Sequence, residues 1–293
     1  MLSTNPIRTL AMICLLLLCA PFNGYAIAKS KFGVFTSPQP VTIEGYTQDA
    51  MEPFISPDGD YLFFNNSNGA PDTNLYYATR IDDLTWQFQG EIGGVNSSAL
   101  DAVASMDVNN TFYFVSTRSY SETFSTIYSG TFSDGSITDV ALVPGISKQK
   151  AGDVNFDACI SPDGGTLYFD DGVYSSSGDL LHASIAIATR DGDQFARVRN
   201  SAAIMHEINM HGLNYAPDIS ASGLEFFFTR FDGTLPAIYT ATRARTSKPF
   251  GKPQKIKAIT GFAEAPALSP DEKSLYYHEN VNGVFEIYRV TRP

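Results

Sequence analysis

The sequence predicts an all-β fold: a five-bladed β-propeller of four-stranded antiparallel blades. Three observations predict it. A unit made of Ser-Pro-Asp-Gly, an aromatic strand and an Ala-Thr-Arg ending recurs along the chain. It is fullest in Phe54-Ile-Ser-Pro-Asp-Gly59 with Asn74-Leu-Tyr-Tyr-Ala-Thr-Arg80, and in Cys159-Ile-Ser-Pro-Asp-Gly164 with Ser184-Ile-Ala-Ile-Ala-Thr-Arg190. Aligned on Ser56, Ser105, Ser161, Ser220 and Ser269, the five copies lie 49, 56, 59 and 49 residues apart, which is the period of a propeller blade. No helical periodicity runs through the chain after its first segment.

Each blade reads in the same order. A short innermost strand, such as Pro53-Phe54-Ile55, runs into the turn. Proline presets φ there, aspartate suits the next place, and glycine tolerates positive φ. The second strand is an unbroken apolar run (residues 61–64, 167–169, 224–228 and 275–277), as expected where neighbouring blades cover both faces. The third strand ends in Ala-Thr-Arg, and the fourth is weaker, as in Trp86-Gln-Phe88 and Phe250-Gly-Lys-Pro-Gln254. Copy two reads Ser105-Met-Asp-Val-Asn-Asn110 and lacks Pro and Gly. Asp58 with Arg80, Asp163 with Arg190, and Asp271 with Arg292 are expected to form structural ion pairs on the turn-bearing face.

The ends predict how the ring closes. Phe32-Gly-Val-Phe35 and Pro38-Gln-Pro-Val41 are similar to the fourth-strand segment at Phe250, whereas the chain stops on a third strand, Ile287-Tyr-Arg-Val-Thr-Arg292. The N-terminal strand should therefore complete the last blade and cover its open edge.

These residues resemble the TolB-type, WD-repeat-like propeller repeat, across nearly the whole chain after its N-terminal segment. The resemblance implies a β-propeller scaffold. It leaves function open among protein-binding, glycan-active and peptidase-accessory roles.

Bulk properties bound the partners. With 293 residues, a net charge of −11 and a pI near 4.7, nucleic acid and anionic membrane surfaces are excluded as expected partners. Residues 1–28 read as a signal peptide with Arg8, an apolar run at 11–20 and a small-x-small site ending at Ala28. A lipoprotein anchor on Cys19 is the alternative. Residues 29–293 then form one propeller domain, periplasmic or secreted, with no membrane insertion. Cys159 is the one cysteine left, and it reads as a small buried hydrophobe.

The loops entering strand one and those joining strands two and three should share one face, called the upper face below. Four places before the aligned serines stand Glu52, Asp101 and Asp157, the catalytic candidates. Arabinanase- and xylosidase-type five-bladed glycosidases place an acid, a base and a pKa-modulating carboxylate on successive inner strands, and the chain is similar in that pattern alone. The same carboxylates would equally serve as solvated strand starts or a cation site. Arg118, Asp170, Asp171, His206, His211, Arg230, His278 and Glu279 are the ligand-binding candidates on the same face, with Tyr46, Tyr120, Tyr174, Tyr215 and Phe231 for contact. No metal-ligand motif, Gly-x-Ser-x-Gly elbow or phosphate loop is present. No cofactor is expected beyond a structural Ca²⁺ as one candidate for the channel. The leading expectation is a scaffold that binds a protein segment or glycan; the alternative is a glycoside hydrolase.

Overall fold

A computed structural model describes residues 32–69 and 72–293. The signal segment, cleavage after Ala28 and anchoring at Cys19 lie outside the described residues. Val34 to Pro293 form one compact unit. That unit is the five-bladed propeller expected: five antiparallel sheets whose inner strands are Met51–Ile55, Asp101–Met106, Asp153–Ile160, Leu213–Ile219 and Ala263–Leu268. The ring closes as expected, because Thr36–Pro40 pairs antiparallel with Val284–Thr291 of blade five. The chain then crosses at once to blade one, where Thr42–Glu44 adds a parallel fifth strand outside Thr85–Glu91. One short segment thus fastens the last blade to the first. Three four-residue helices, Tyr120–Thr123, Ser201–Ile204 and His206–Asn209, lie in loops.

The cores lie between blades. Leu62, Phe63, Phe64, Phe112, Phe114, Leu167, Phe169, Phe226, Phe227 and Phe228 on the second strands are 0% exposed, so both faces of these strands are covered. Edge-to-face contacts join neighbours, as between Phe63 and Phe112 at 5.1 Å, or Trp86 and Tyr276 at 6.4 Å.

The turns correct two expectations. Asp58, Asp163 and Asp271 do not pair with arginine. Each carboxylate accepts the hydroxyl of its own turn serine and the N–H two residues on: Asp163 Oδ1 takes Ser161 Oγ–H at 2.6 Å and Gly165 N–H at 3.0 Å. Arg80 pairs within its own blade, with Asp83 at 2.5 Å, and the arginines of the later blades reach to the preceding blade. Arg190 donates to Tyr113 Oη and Arg243 to Tyr168 Oη, while Arg292 donates to both oxygens of Glu225 at 2.7 and 2.9 Å. Each guanidinium also lies over an aromatic ring: Arg190 on Phe195, Arg243 on Phe250 and Arg292 on Phe35. Phe35 thus occupies the Phe250 place, in keeping with the N-terminal strand as a displaced fourth strand.

The second correction is one of register. In copy two the turn residue equivalent to Ser56 is Asp107, not Ser105. Asp107 N–H bonds Thr111 O and its Oδ1 accepts Thr111 N–H, as Ser56 does with Tyr61. An aspartate oxygen replaces the serine oxygen as acceptor, so the repeat persists without its serine.

Candidate active site at the upper channel mouth

Every inner strand carries a bulge at one equivalent place. Glu52, Val103, Asp157, Ala216 and Ala265 all have left-handed φ, between 48° and 57°, and the strand register shifts at each. A bulge breaks the alternation of faces. Two successive residues per blade can then face the channel: Ala102 and Val103, Phe156 and Asp157, Tyr215 and Ala216, Glu264 and Ala265 all line one cavity of about 400 Å³.

A ring of buried side chains holds these bulges. The second strands carry Asn65, Ser116, Asp170, Thr229 and His278 at equivalent places, all 0% exposed. Four of them accept the N–H of the bulge residue in the next blade: Asn65 from Val103 (3.2 Å), Asp170 from Ala216 (3.0 Å), Thr229 from Ala265 (3.0 Å) and His278 from Glu52 (3.0 Å). Ser116 occupies the fifth place and takes Arg118 Nε–H at 2.8 Å. Asp170 and His278 are therefore buried clamps within strands rather than loop residues.

Four carboxyls converge at the cavity: Glu52, Asp157 and Glu264 line it, and Asp170 lies against Asp157. Glu52 Oε1 accepts Asn68 Nδ2–H at 2.9 Å, while its Oε2 is buried with no hydrogen-bond partner among the described residues. Burial, then the charges of Asp157 and Glu264, push the Glu52 carboxyl well above the usual range. Asp157 and Asp170 both accept the Ala216 N–H at 3.0 Å and lie close enough to share a proton. Burial raises Asp157 to about 6. Burial and then the Asp157 charge raise Asp170 further, so Asp170 keeps the shared proton. Glu264 accepts Tyr215 Oη–H and lies 3.1 Å from His278 Nε2. Because His278 Nδ1 accepts the Glu52 N–H, its proton sits on Nε2 and the ring is neutral. Among the described residues no group of three or more His, Cys, Asp or Glu has the arrangement of a metal site.

The sequence candidates divide sharply. Glu52 and Asp157 line the cavity; Asp101 does not. With the register corrected, Val103 holds the equivalent place, and Asp101 is a structural anchor, 0% exposed, bonded to Arg118 Nη2 at 2.5 Å and to Ser97. Arg118 and Arg230 do not reach the cavity. Arg118 also bonds Val95 O, and Arg230 bonds Asn214 Oδ1 and Ile208 O at 2.8 and 2.6 Å. Asp171 is held by Arg197 (2.6 and 2.8 Å) and Lys148 (3.1 Å) outside the cavity. His206 and His211 are exposed, and Glu279 faces Glu286 and Ala263 across its sheet. Of the aromatic contacts, Tyr174, Tyr215 and Phe231 line the cavity. Tyr46 packs inside blade one against Phe64, and Tyr120 bonds Asp153 O. Tyr215 is one of the expected contacts, and Glu264 is the carboxylate sequence reasoning missed. The signal was available: both sit one residue before the bulge.

No family model matches the sequence, and no curated protein matches it. Solved structures do resemble it. Zg3597, a family 117 glycoside hydrolase of Zobellia galactanivorans, superposes with a TM-score of 0.55 at 11% identity, covering 89% of this chain and 90% of that one. The catalytic domain of the Coprinopsis cinerea GH62 α-L-arabinofuranosidase gives 0.52 at 10% identity, covering 89% and 97%. The putative TolB of Agrobacterium tumefaciens gives 0.47 at 17% identity, covering 79% and 70%. At these identities the likeness is one of fold.

Proposed function

We propose that the chain binds the terminal residue of a glycan in the upper cavity, and that its carboxyls support glycoside hydrolysis. One observation carries this reading: two carboxyls in one cavity are prepared for opposite roles. Glu52 is held protonated and can act as the acid, donating from Oε2. Asp157 titrates near 6, so at neutral pH it is a carboxylate able to act as base or nucleophile. The aromatic walls at Phe156, Tyr174, Phe231 and Phe262 suit a sugar ring. The fold likeness to glycoside hydrolases adds that such a ring can host this chemistry. The extracytoplasmic location belongs to the same proposal and is tested by the N-terminus of the exported protein.

The test is a panel of aryl glycosides and oligosaccharides. Glu52→Gln and Asp157→Asn should each reduce turnover by roughly 10²-fold or more with the fold intact. A second reading, binding without turnover, draws support from the engagement of Asp157 with Ala216 and Asp170. It is favoured if glycans bind and none is cleaved. If no glycan binds, both readings fail.

A further inference from the structure

We propose that the upper cavity recognises a basic nitrogen: its ligand is an organic ammonium, such as an amino sugar or an arylalkylamine, seated against Glu52 within aromatic walls. This rests on the cavity being the ligand site, not on hydrolysis. Glu52 lines the cavity, and its Oε2 is buried with no hydrogen-bond partner among the described residues. Asp157 and Glu264 line the same cavity, and among the described residues no Arg, Lys or His side chain does. The cations nearby are committed: Arg118 to Asp101 and Arg230 to Asn214 and Ile208, while His278 is held neutral. A neutral hydroxyl could satisfy Oε2 but would leave the carboxylates without a counter-charge. An ammonium brings the charge and several donors. Phe156, Tyr174, Tyr215, Phe231 and Phe262 surround that place, and aromatic faces attract cations most strongly where water is excluded.

The binding should be linked to protons. Glu52 faces Asp157, Glu264, Asn65 and Asn68. Asp157 faces Asp170 and Glu264, with Tyr174 and Tyr215 beside it. In the free protein burial holds a proton on Glu52 and raises Asp157 to about 6, and a bound cation would expel such protons, so affinity should rise with pH.

The experiment is calorimetric titration of the full propeller with benzylammonium chloride and with benzyl alcohol, and with glucosamine and glucose, at about pH 5 and about pH 7.5. Each cation should bind at least about tenfold tighter than its neutral partner, and tighter at the higher pH, with proton release seen as a buffer-dependent heat. Glu52→Gln should abolish the preference without lowering the melting temperature. Phe231→Leu should reduce it severalfold and serves if the Glu52 variant fails to fold. Equal affinity within each pair, no binding of either cation, or a preference untouched by both variants would overturn the proposal. If neutral glycosides bind or are cleaved while ammonium probes are ignored, the glycan reading stands and this one falls.

Discussion

Asp218 offers the sharpest test of how burial sets this protein's electrostatics. It lines the narrow middle of the channel and the lower cavity, and is 7% exposed. Its Oδ2 accepts Leu268 N–H at 2.6 Å, and its Oδ1 accepts the Cys159 thiol at 3.4 Å. These bonds favour the carboxylate, but burial outweighs them and raises the group from 3.8 to about 7, with Glu272 adding to the rise. The folded chain therefore keeps this proton up to neutral pH, whereas the unfolded chain loses it near pH 4. Between those values the folded state binds more protons, so stability falls as pH rises, by about 1.4 kcal/mol per unit. Over the window of about three units the loss approaches ~4 kcal/mol. Asp218→Asn keeps an acceptor for Leu268 and cannot ionise. Denaturant unfolding of both proteins from about pH 4 to pH 8 should show the variant level with or slightly below wild type in acid, and more stable by a few kcal/mol at about pH 8. The Asp157 titration falls in the same window and cancels in the difference. Parallel stability curves for the two proteins would refute the reasoning.

Three further substitutions probe the scaffold. Asp101→Ala removes the buried partner of Arg118 and Ser97, leaving Arg118 with Ser116 and Val95, and should destabilise by about 1–3 kcal/mol in denaturant melts, while ligand affinity of the folded fraction is unchanged; a specific loss of binding would return Asp101 to the site. Arg292→Met strands the Glu225 carboxylate, buried with it at 2.7 Å, and should cost about 3–5 kcal/mol, largely recovered in the double variant with Glu225→Leu. His278→Leu removes the acceptor of the Glu52 N–H and should cost about 1–3 kcal/mol, whereas His278→Asn, copying Asn65 in blade one, should cost less by thermal melting.

The fold was legible because its signals are local. The Ser-Pro-Asp-Gly turns, the aromatic runs and the mismatched ends each report on their own few residues. The errors arose where one atom type replaces another or where partners lie in different blades. Ser105 was an attractive anchor, but the turn needs an acceptor oxygen, which Asp107 supplies at 3.0 Å from Thr111 N. That two-residue slip put Asp101 where Val103 belongs. The expected Asp–Arg pairs failed because each aspartate is satisfied within its own turn, while Arg80 pairs with Asp83 and Arg190 and Arg292 cross to the preceding blade. Glu264 was not singled out because it stands one residue before the serine-aligned place, Ala265, and the bulge is what brings both residues to the cavity.

Val103 joins these threads. Left-handed φ is a rare conformation for a β-branched residue, and Val103 adopts it at 57°, held by Asn65. Asparagine adopts that region far more readily. If shape alone governed the position, a polar residue would serve the fold better. Yet Val103, with Leu100, Ala102 and Val115, makes the blade-two side of the cavity apolar, whereas blades one, three and five bring Glu52, Asp157 and Glu264 to it. The strain is consistent with a binding role: it preserves a side on which the uncharged end of a ligand rests. Val103→Asn should therefore raise stability by about 1 kcal/mol and weaken benzylammonium binding, with the proton release on binding retained. A variant that is less stable than wild type, or one that binds unchanged, would show that valine at this bulge serves neither the strain nor the ligand.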